Sequence, residues 1–260
     1  MSATDKLLSI FALFTTERSE WTVEEAASQL GLAVSTAYRY FKSLSDAGLI
    51  VGFAAGRYVL GPAITQLDRQ TRLGDPLIRA ASPAMRRLAA EIGVPGTFLL
   101  CRLYRRQVIC VHQETAHTPV LATSYERGRL MPLHRGAASK IILAHLPARI
   151  VRTYQDEHLE DIRAVGLGHD WPTLKRQLRL MRNAEVCLTH SELDSGALGL
   201  AAAIFGPDGT VIGSLGLVIE ERDCGKELQD RLTKQMPLTA AQVTGDLRRI
   251  ATGPMAQGPS

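Results

Sequence analysis

Between Thr22 and Gly48 the run TVEEAASQLGLAVSTAYRYFKSLSDAG admits few folds. Thr22 and Glu25 have the spacing at which a hydroxyl and a carboxylate cap each other's backbone N–H groups at a helix start. Gly31 ends that helix, because glycine takes the left-handed cap conformation without steric penalty. Leu32-Ala33-Val34 leads to Ser35, where a further helix runs through Leu44 until Gly48 closes it. Upstream, Leu7, Leu8, Ile10, Phe11, Leu13 and Phe14 recur at helical spacing and predict a helix from Thr4 to about Thr16, capped by Thr4. Downstream, Leu49–Phe53 and Arg57–Leu60 flank Ala54-Ala55-Gly56 as a hairpin. This order is that of a winged helix-turn-helix, whose helix after the glycine turn enters the major groove. A small helical bundle that carries a hairpin is the competing fold.

The third helix favours DNA. Ser35, Thr36, Arg39 and Lys42 fall within two turns on one face, with no acid among them. Arginine pairs bidentately with guanine O6 and N7, and the hydroxyls and lysine suit phosphates and base edges. Tyr40, Phe41 and Leu44 share the apolar stripe, which turns Tyr38 outward. Arg57 at the hairpin tip suits a phosphate contact from the wing, although a bare surface arginine explains it nearly as well.

Bulk charge cannot carry this assignment. The formal net charge is only +4, and residues 1–61 hold five cations against six acids. Residues 62–112 hold eight arginines against three acids, while 113–260 balance. Affinity for a polyanion must therefore come from the placement of a few cations.

After Gly61, Pro62 starts a linker helix with Ile64, Leu67 and Leu73, and Pro76 opens an amphipathic helix over Leu77–Ile92. Thr97–Leu103, Gln107–His112 and Val120–Ser124 read as antiparallel strands, followed by helices near 136–146, 147–158 and 171–183. Gly199–Phe205 and Val211–Glu220 form two more strands across the turn Gly206-Pro207-Asp208-Gly209, and a last helix covers about 224–250. The fold class is α+β: a winged helix-turn-helix over 1–61, a linker helix over 62–75, a mixed domain with an antiparallel sheet over 76–250, and a disordered tail over 251–260.

Other function classes find little support. No apolar run is long enough to span a membrane, and the N-terminus lacks a cleavage signal, so a cytoplasmic location is expected. Cys101, Cys110, Cys187 and Cys224 are scattered among apolar neighbours and read as reduced thiols rather than disulfides or metal ligands. G-x-S-x-G, P-loop, G-x-G-x-x-G and H-E-x-x-H are all missing, so no catalytic set, cofactor or metal is expected. Two alternatives remain: a small-molecule-converting enzyme, or a ligand-free interaction module, joined to a DNA-binding domain.

The chain resembles the IclR family of bacterial transcription regulators along nearly its whole length. The run from Thr22 to Leu49, ending Arg57-Tyr58-Val59-Leu60-Gly61, is similar to that family's first domain. More specific are Gly128-Arg129-Leu130-Met131-Pro132-Leu133-His134 with Ala138-Ser139-Lys140, and Glu192-Leu193-Asp194-Ser195-Gly196 with Gly199–Phe205 and Asp208-Gly209. The chain departs from the family pattern at Ser139-Lys140-Ile141, where Gly-Lys-Ala is usual, and at Ala203, where proline is frequent. The resemblance implies a GAF-like effector domain, homodimers or dimers of dimers, a palindromic DNA operator and a small-molecule effector.

Gly136-Ala137-Ala138-Ser139 opens a helix with side chains too small to block its free N–H groups, an arrangement suited to a carboxylate. Close packing accounts for the same residues. The resemblance favours an effector site here and adds His134, Thr189 and Glu192, with Val120 and Met131 as apolar lining. Gly216 and Val218 alternate on one side of their strand and complete the set. This lining suits a small aromatic or aliphatic acid better than a sugar phosphate.

Overall fold

The computed structural model describes residues 2–118 and 123–252. The described residues divide into two compact units, one ending at Leu73 and one beginning at Gly74.

The first unit contains α1 (Ala3–Ser9), a 3-10 turn (Ile10–Leu13), β1 (Trp21–Thr22), α2 (Val23–Leu30), α3 (Val34–Asp46), β2 (Ile50–Gly52), β3 (Arg57–Leu60) and most of α4 (Pro62–Gly74). The reciprocal Thr22/Glu25 cap starts α2, and Gly31 ends it at φ +63°. The first helix begins earlier than expected and is shorter: Ser2, not Thr4, caps it, since Asp5 stands three residues on and closes a reciprocal pair with Ser2. The helices pack around Ile10, Trp21, Ala26, Ala37, Phe41, Leu44 and Ile50. Trp21 Nε1 donates to the Leu13 carbonyl at 2.8 Å, satisfying the one polar atom of a buried indole. β3 lies between β1 and β2, both antiparallel to it, which builds the wing.

The second unit begins with α5 (Pro76–Glu91), capped by Asp75, and continues through β4 (Gly96–Tyr104), β5 (Gln107–Ala116) and β6 (Leu130–Pro132). It goes on through α6 (Ala137–His145), α7 (Ala148–Glu157), α8 (Leu159–Ala164), α9 (Trp171–Ala184), β7 (Cys187–His190), β8 (Ala197–Phe205), β9 (Val211–Glu220) and α10 (Lys226–Thr252). The sheet order is β6-β5-β4-β9-β8-β7, each neighbouring pair antiparallel. Phe98, Leu100, Leu198, Leu200, Leu215 and Leu217 pack with α5 and α10 on one face. The other face carries smaller residues and receives α6, which is buried from Ala137 to Ala144.

Several expectations need correction. Val120–Ala122 lie outside the described residues, and Thr123 and Ser124 are not strand. The Ser124 N–H and hydroxyl are both bound by the Asp194 carboxylate instead of a strand partner. The strands β6 and β7 and the short helix α8 were not foreseen; each is brief, and β6 and β7 are the sheet edges. α10 continues through Thr252, so Ala251 and Thr252 are helical rather than disordered, and 253–260 lie outside the described residues.

His134 belongs to a buried cluster. It is 4% exposed, and its Nδ1 lies 2.9 Å from the Tyr154 hydroxyl, which also accepts the Leu133 N–H at 2.9 Å. The hydroxyl and Nδ1 share one hydrogen bond, whose donor is set by the imidazole tautomer. Burial lowers the His134 pKa from 6.5 and raises that of Tyr154 to about 12.

Two predictions concern stability. Thr22→Ala removes a reciprocal cap and is expected to cost about 1 kcal/mol, read by chemical denaturation following Trp21 fluorescence in a Trp171→Phe background. Because the folded-state pKa of His134 is depressed, the unfolded chain takes up the proton first as pH falls. Stability should be complete above pH 6.5 and decline as pH drops through it. His134→Gln should reduce that slope in pH-dependent melting without abolishing it, since burial also lowers the pKa of His145.

Candidate nucleic-acid interface and ligand cavity

On α3, Ser35, Arg39 and Lys42 are exposed and Thr36 is half-buried, while Ala37, Phe41 and Leu44 turn into the core. Neither Arg39 nor Lys42 has an ion-pair partner among the described residues. Tyr38 is 52% exposed, and its hydroxyl donates to Glu24 Oε1 at 2.9 Å. Glu24 is held below the usual carboxylate range by its own backbone N–H and by that hydroxyl, and the bond in turn raises the pKa of Tyr38.

Arg57 is not at the tip of the hairpin. Ala55 and Gly56 make the turn with positive φ, and Arg57 begins β3 opposite Thr22. That register brings its guanidinium to 3.5 Å from Glu20 and 3.9 Å from Glu25. Arg18 pairs with the same Glu25 oxygen, Oε2, at 2.8 Å.

In the second unit a cavity opens at the N-terminus of α6. Ala137, Ala138, Thr189, Glu192, Gly216 and Val218 line it, together with Leu99, Tyr125, Gly136, Leu193, Asp194, Ala197 and Gly199. Met131 and His134 do not: Met131 is in the core on β6, and His134 is held by Tyr154. Val120 lies outside the described residues. Tyr125 could not be found from periodicity, because it is an isolated aromatic in a loop. Its hydroxyl donates to the Arg135 carbonyl at 3.0 Å, accepts the Ser139 N–H at 3.2 Å, and stands 2.8 Å from Ser139 Oγ. Burial pushes its pKa up, so it stays a neutral phenol.

Gly136 is required by both space and backbone. It sits at φ +77°, and a Cβ there would lie 2.5 Å from the Tyr125 hydroxyl and from Leu193 Cδ1. Its N–H donates to Glu192 Oε1 at 2.8 Å, and Lys140 Nζ donates to Oε2 of the same carboxylate at 2.5 Å. The N–H groups of Ala137 and Ala138 have no hydrogen-bond partner among the described residues. The free interior is about 20 Å³, on a measure by which one water needs roughly 10–15 Å³. Among the described residues no group of three His, Cys, Asp or Glu side chains could hold a metal ion, and no helix is long and apolar enough to cross a membrane.

Comparison with known proteins agrees with this architecture. Residues 3–52 match the family described as the IclR helix-turn-helix domain, and residues 73–244 match the one described as bacterial transcriptional regulator IclR C-terminal. The HTH-type transcriptional regulator KipR of Bacillus subtilis is 23% identical over 243 residues, covering 92% of this chain and 94% of KipR. An IclR homolog from Microbacterium hydrocarbonoxydans, solved in complex with 4-hydroxybenzoate, superposes with a TM-score of 0.75 at 20% identity, over 95% of this chain and 99% of that one. An IclR transcriptional regulator from Alicyclobacillus acidocaldarius gives a TM-score of 0.73 at 20% identity, over 94% and 98% of the two chains. With both of its units accounted for by family domains, the chain belongs to the IclR family of bacterial transcriptional regulators.

Proposed function

We propose that this regulator binds a palindromic operator as a dimer, or as a dimer of dimers, in the cytoplasm, and that a small carboxylic acid bound in its C-terminal, GAF-like domain changes how those dimers associate. The observation that carries the DNA half is the exposed face of α3. Arg39 and Lys42 stand on it without ion-pair partners, beside Ser35 and Thr36, while Glu20, Glu24 and Glu25 are engaged elsewhere. Arg39 reads a base edge, and Ser35, Thr36 and Lys42 hold phosphates or neighbouring edges. Tyr38 offers its ring, since its hydroxyl is taken by Glu24. Arg57 reaches a phosphate only by giving up Glu20 and Glu25, which makes its contribution smaller than that of Arg39.

Support for the effector half comes from the N–H groups of Ala137 and Ala138 at the cavity wall and the dipole of α6 behind them. The relative bound to 4-hydroxybenzoate points to the same ligand class. Thr189, Glu192, Gly216 and Val218 line this site. The narrow interior favours one competing reading, a second unit that binds no ligand.

Arg39→Ala is expected to weaken specific operator binding by about 1–3 kcal/mol, roughly 5- to 150-fold, in a gel-shift assay, with circular dichroism unchanged. Unchanged affinity would mean that α3 does not read the sequence. A panel of benzoates and short aliphatic acids should raise the melting temperature, the best of them by about 2.7 kcal/mol of stabilisation at a hundredfold excess over its Kd. If every acid leaves the melting curve in place, the ligand-free reading stands.

A further inference from the structure

At the cavity wall Glu192 is paired with Lys140, a buried lysine outside the lining. Lys140 is 5% exposed, and its ammonium donates to Glu192 Oε2 at 2.5 Å, while Glu192 Oε1 accepts the Gly136 N–H at 2.8 Å. One carboxylate of the chain thus sits between a buried cation and the start of α6, the two groups that an incoming carboxylate would use. Resting on the effector reading above, we propose that Glu192 is a resident stand-in for the effector's carboxylate, that binding exchanges one for the other, and that Lys140 sets the requirement for an anion.

Two physical arguments support the exchange. The first is space: the interior holds about one water, so an aromatic acid enters only if something leaves. Glu192 and Leu193 sit on the connection between β7 and β8, and both are only half-buried, whereas α6 and the strands beneath it are buried. Displacing these two side chains opens the mouth without breaking the sheet. The second is charge: a neutral ligand that pushed Glu192 aside would leave the Lys140 ammonium buried and unpaired, a state strongly disfavoured in a protein interior. An anion replaces the lost partner one for one. The same exchange frees a connection whose Asp194 carboxylate accepts both the N–H and the hydroxyl of Ser124, so ligand occupancy reaches Ser124.

The test uses the full chain, wild type and Glu192→Gln, titrated calorimetrically with benzoate, 4-hydroxybenzoate and the neutral benzamide. The amide of the variant competes less well for Lys140, so the variant should bind the two carboxylates at least tenfold more tightly than wild type, and benzamide should not bind wild type. Equal or weaker carboxylate binding by Glu192→Gln, with wild type still binding, would overturn the exchange while leaving the effector reading intact. Benzamide binding to wild type as tightly as benzoate would overturn it as well. If neither protein binds a carboxylate, the effector reading fails and the exchange with it. A second variant, Lys140→Met combined with Glu192→Gln, removes both buried charges together and so leaves no unpaired ion to unfold the domain. It should lose the preference for benzoate over benzamide, and retention of that preference would assign the selectivity to groups other than Lys140.

Discussion

A sheet covered on both faces must match two different neighbours, and this constraint shapes the second unit. Facing α5 and α10, strands β4, β8 and β9 carry Phe98, Leu100, Leu198, Leu200, Ile204, Leu215, Leu217 and Ile219. Facing α6, β8 and β9 carry Gly199, Ala201, Ala203, Ser214 and Gly216, beside Leu99 and Cys101 of β4. Small residues let α6 come close: Gly216 would place a Cβ only 3.5 Å from that of Ala138, and Ser214 Oγ donates to the Ala138 carbonyl at 2.8 Å. Where Gly199 and Gly216 meet Ala137 and Ala138, no large side chain fills the space between helix and sheet. The cavity is thus a result of the alternation along β8 and β9, and its wall includes backbone N–H groups because the helix that closes it begins there.

The first unit solves a different problem, that of meeting a polyanion with a segment that carries more acids than bases. Three of those acids, Glu20, Glu24 and Glu25, are engaged by neighbouring groups. Glu25 closes the cap of α2 and pairs with Arg18, Glu20 faces Arg57, and Glu24 accepts the Tyr38 hydroxyl. Arg39 and Lys42 have no such acid and stand exposed on α3. What phosphates meet is this local field, since charges more than about 10 Å apart are largely screened at ordinary salt. The net charge of the segment says little about it.

The parts of this architecture that were legible in the sequence are those fixed by short-range chemistry. The Thr22/Glu25 cap, the left-handed Gly31, the turn at Pro207-Asp208-Gly209 and the apolar stripe of α3 each depend on residues a few positions apart. The stretch Gly136–Ser139 was legible for the same reason, as a run of small residues that must leave a helix N-terminus open. Ser2, β6, β7 and the true place of Arg57 were not. Ser2 and Thr4 offer similar caps, and only the position of Asp5 decides between them. The two edge strands are too short for their alternation to register, and Arg57 was turned aside by the pairing of β3 with β1, a partner of two residues.

By itself, then, the sequence determined the longer helices and strands, the exposed face of α3 and the family, because caps, periodicity and signature motifs are local properties of a chain. The tertiary structure decided which distant groups share a site. Lys140 and Glu192 are 52 residues apart, Ser124 and Asp194 are 70, and Tyr125 reaches Ser139 from a loop with no periodic signal. Those contacts exist because a buried ammonium or phenol must find a partner wherever the packing of α6 against the sheet leaves one, and that packing is a long-range result.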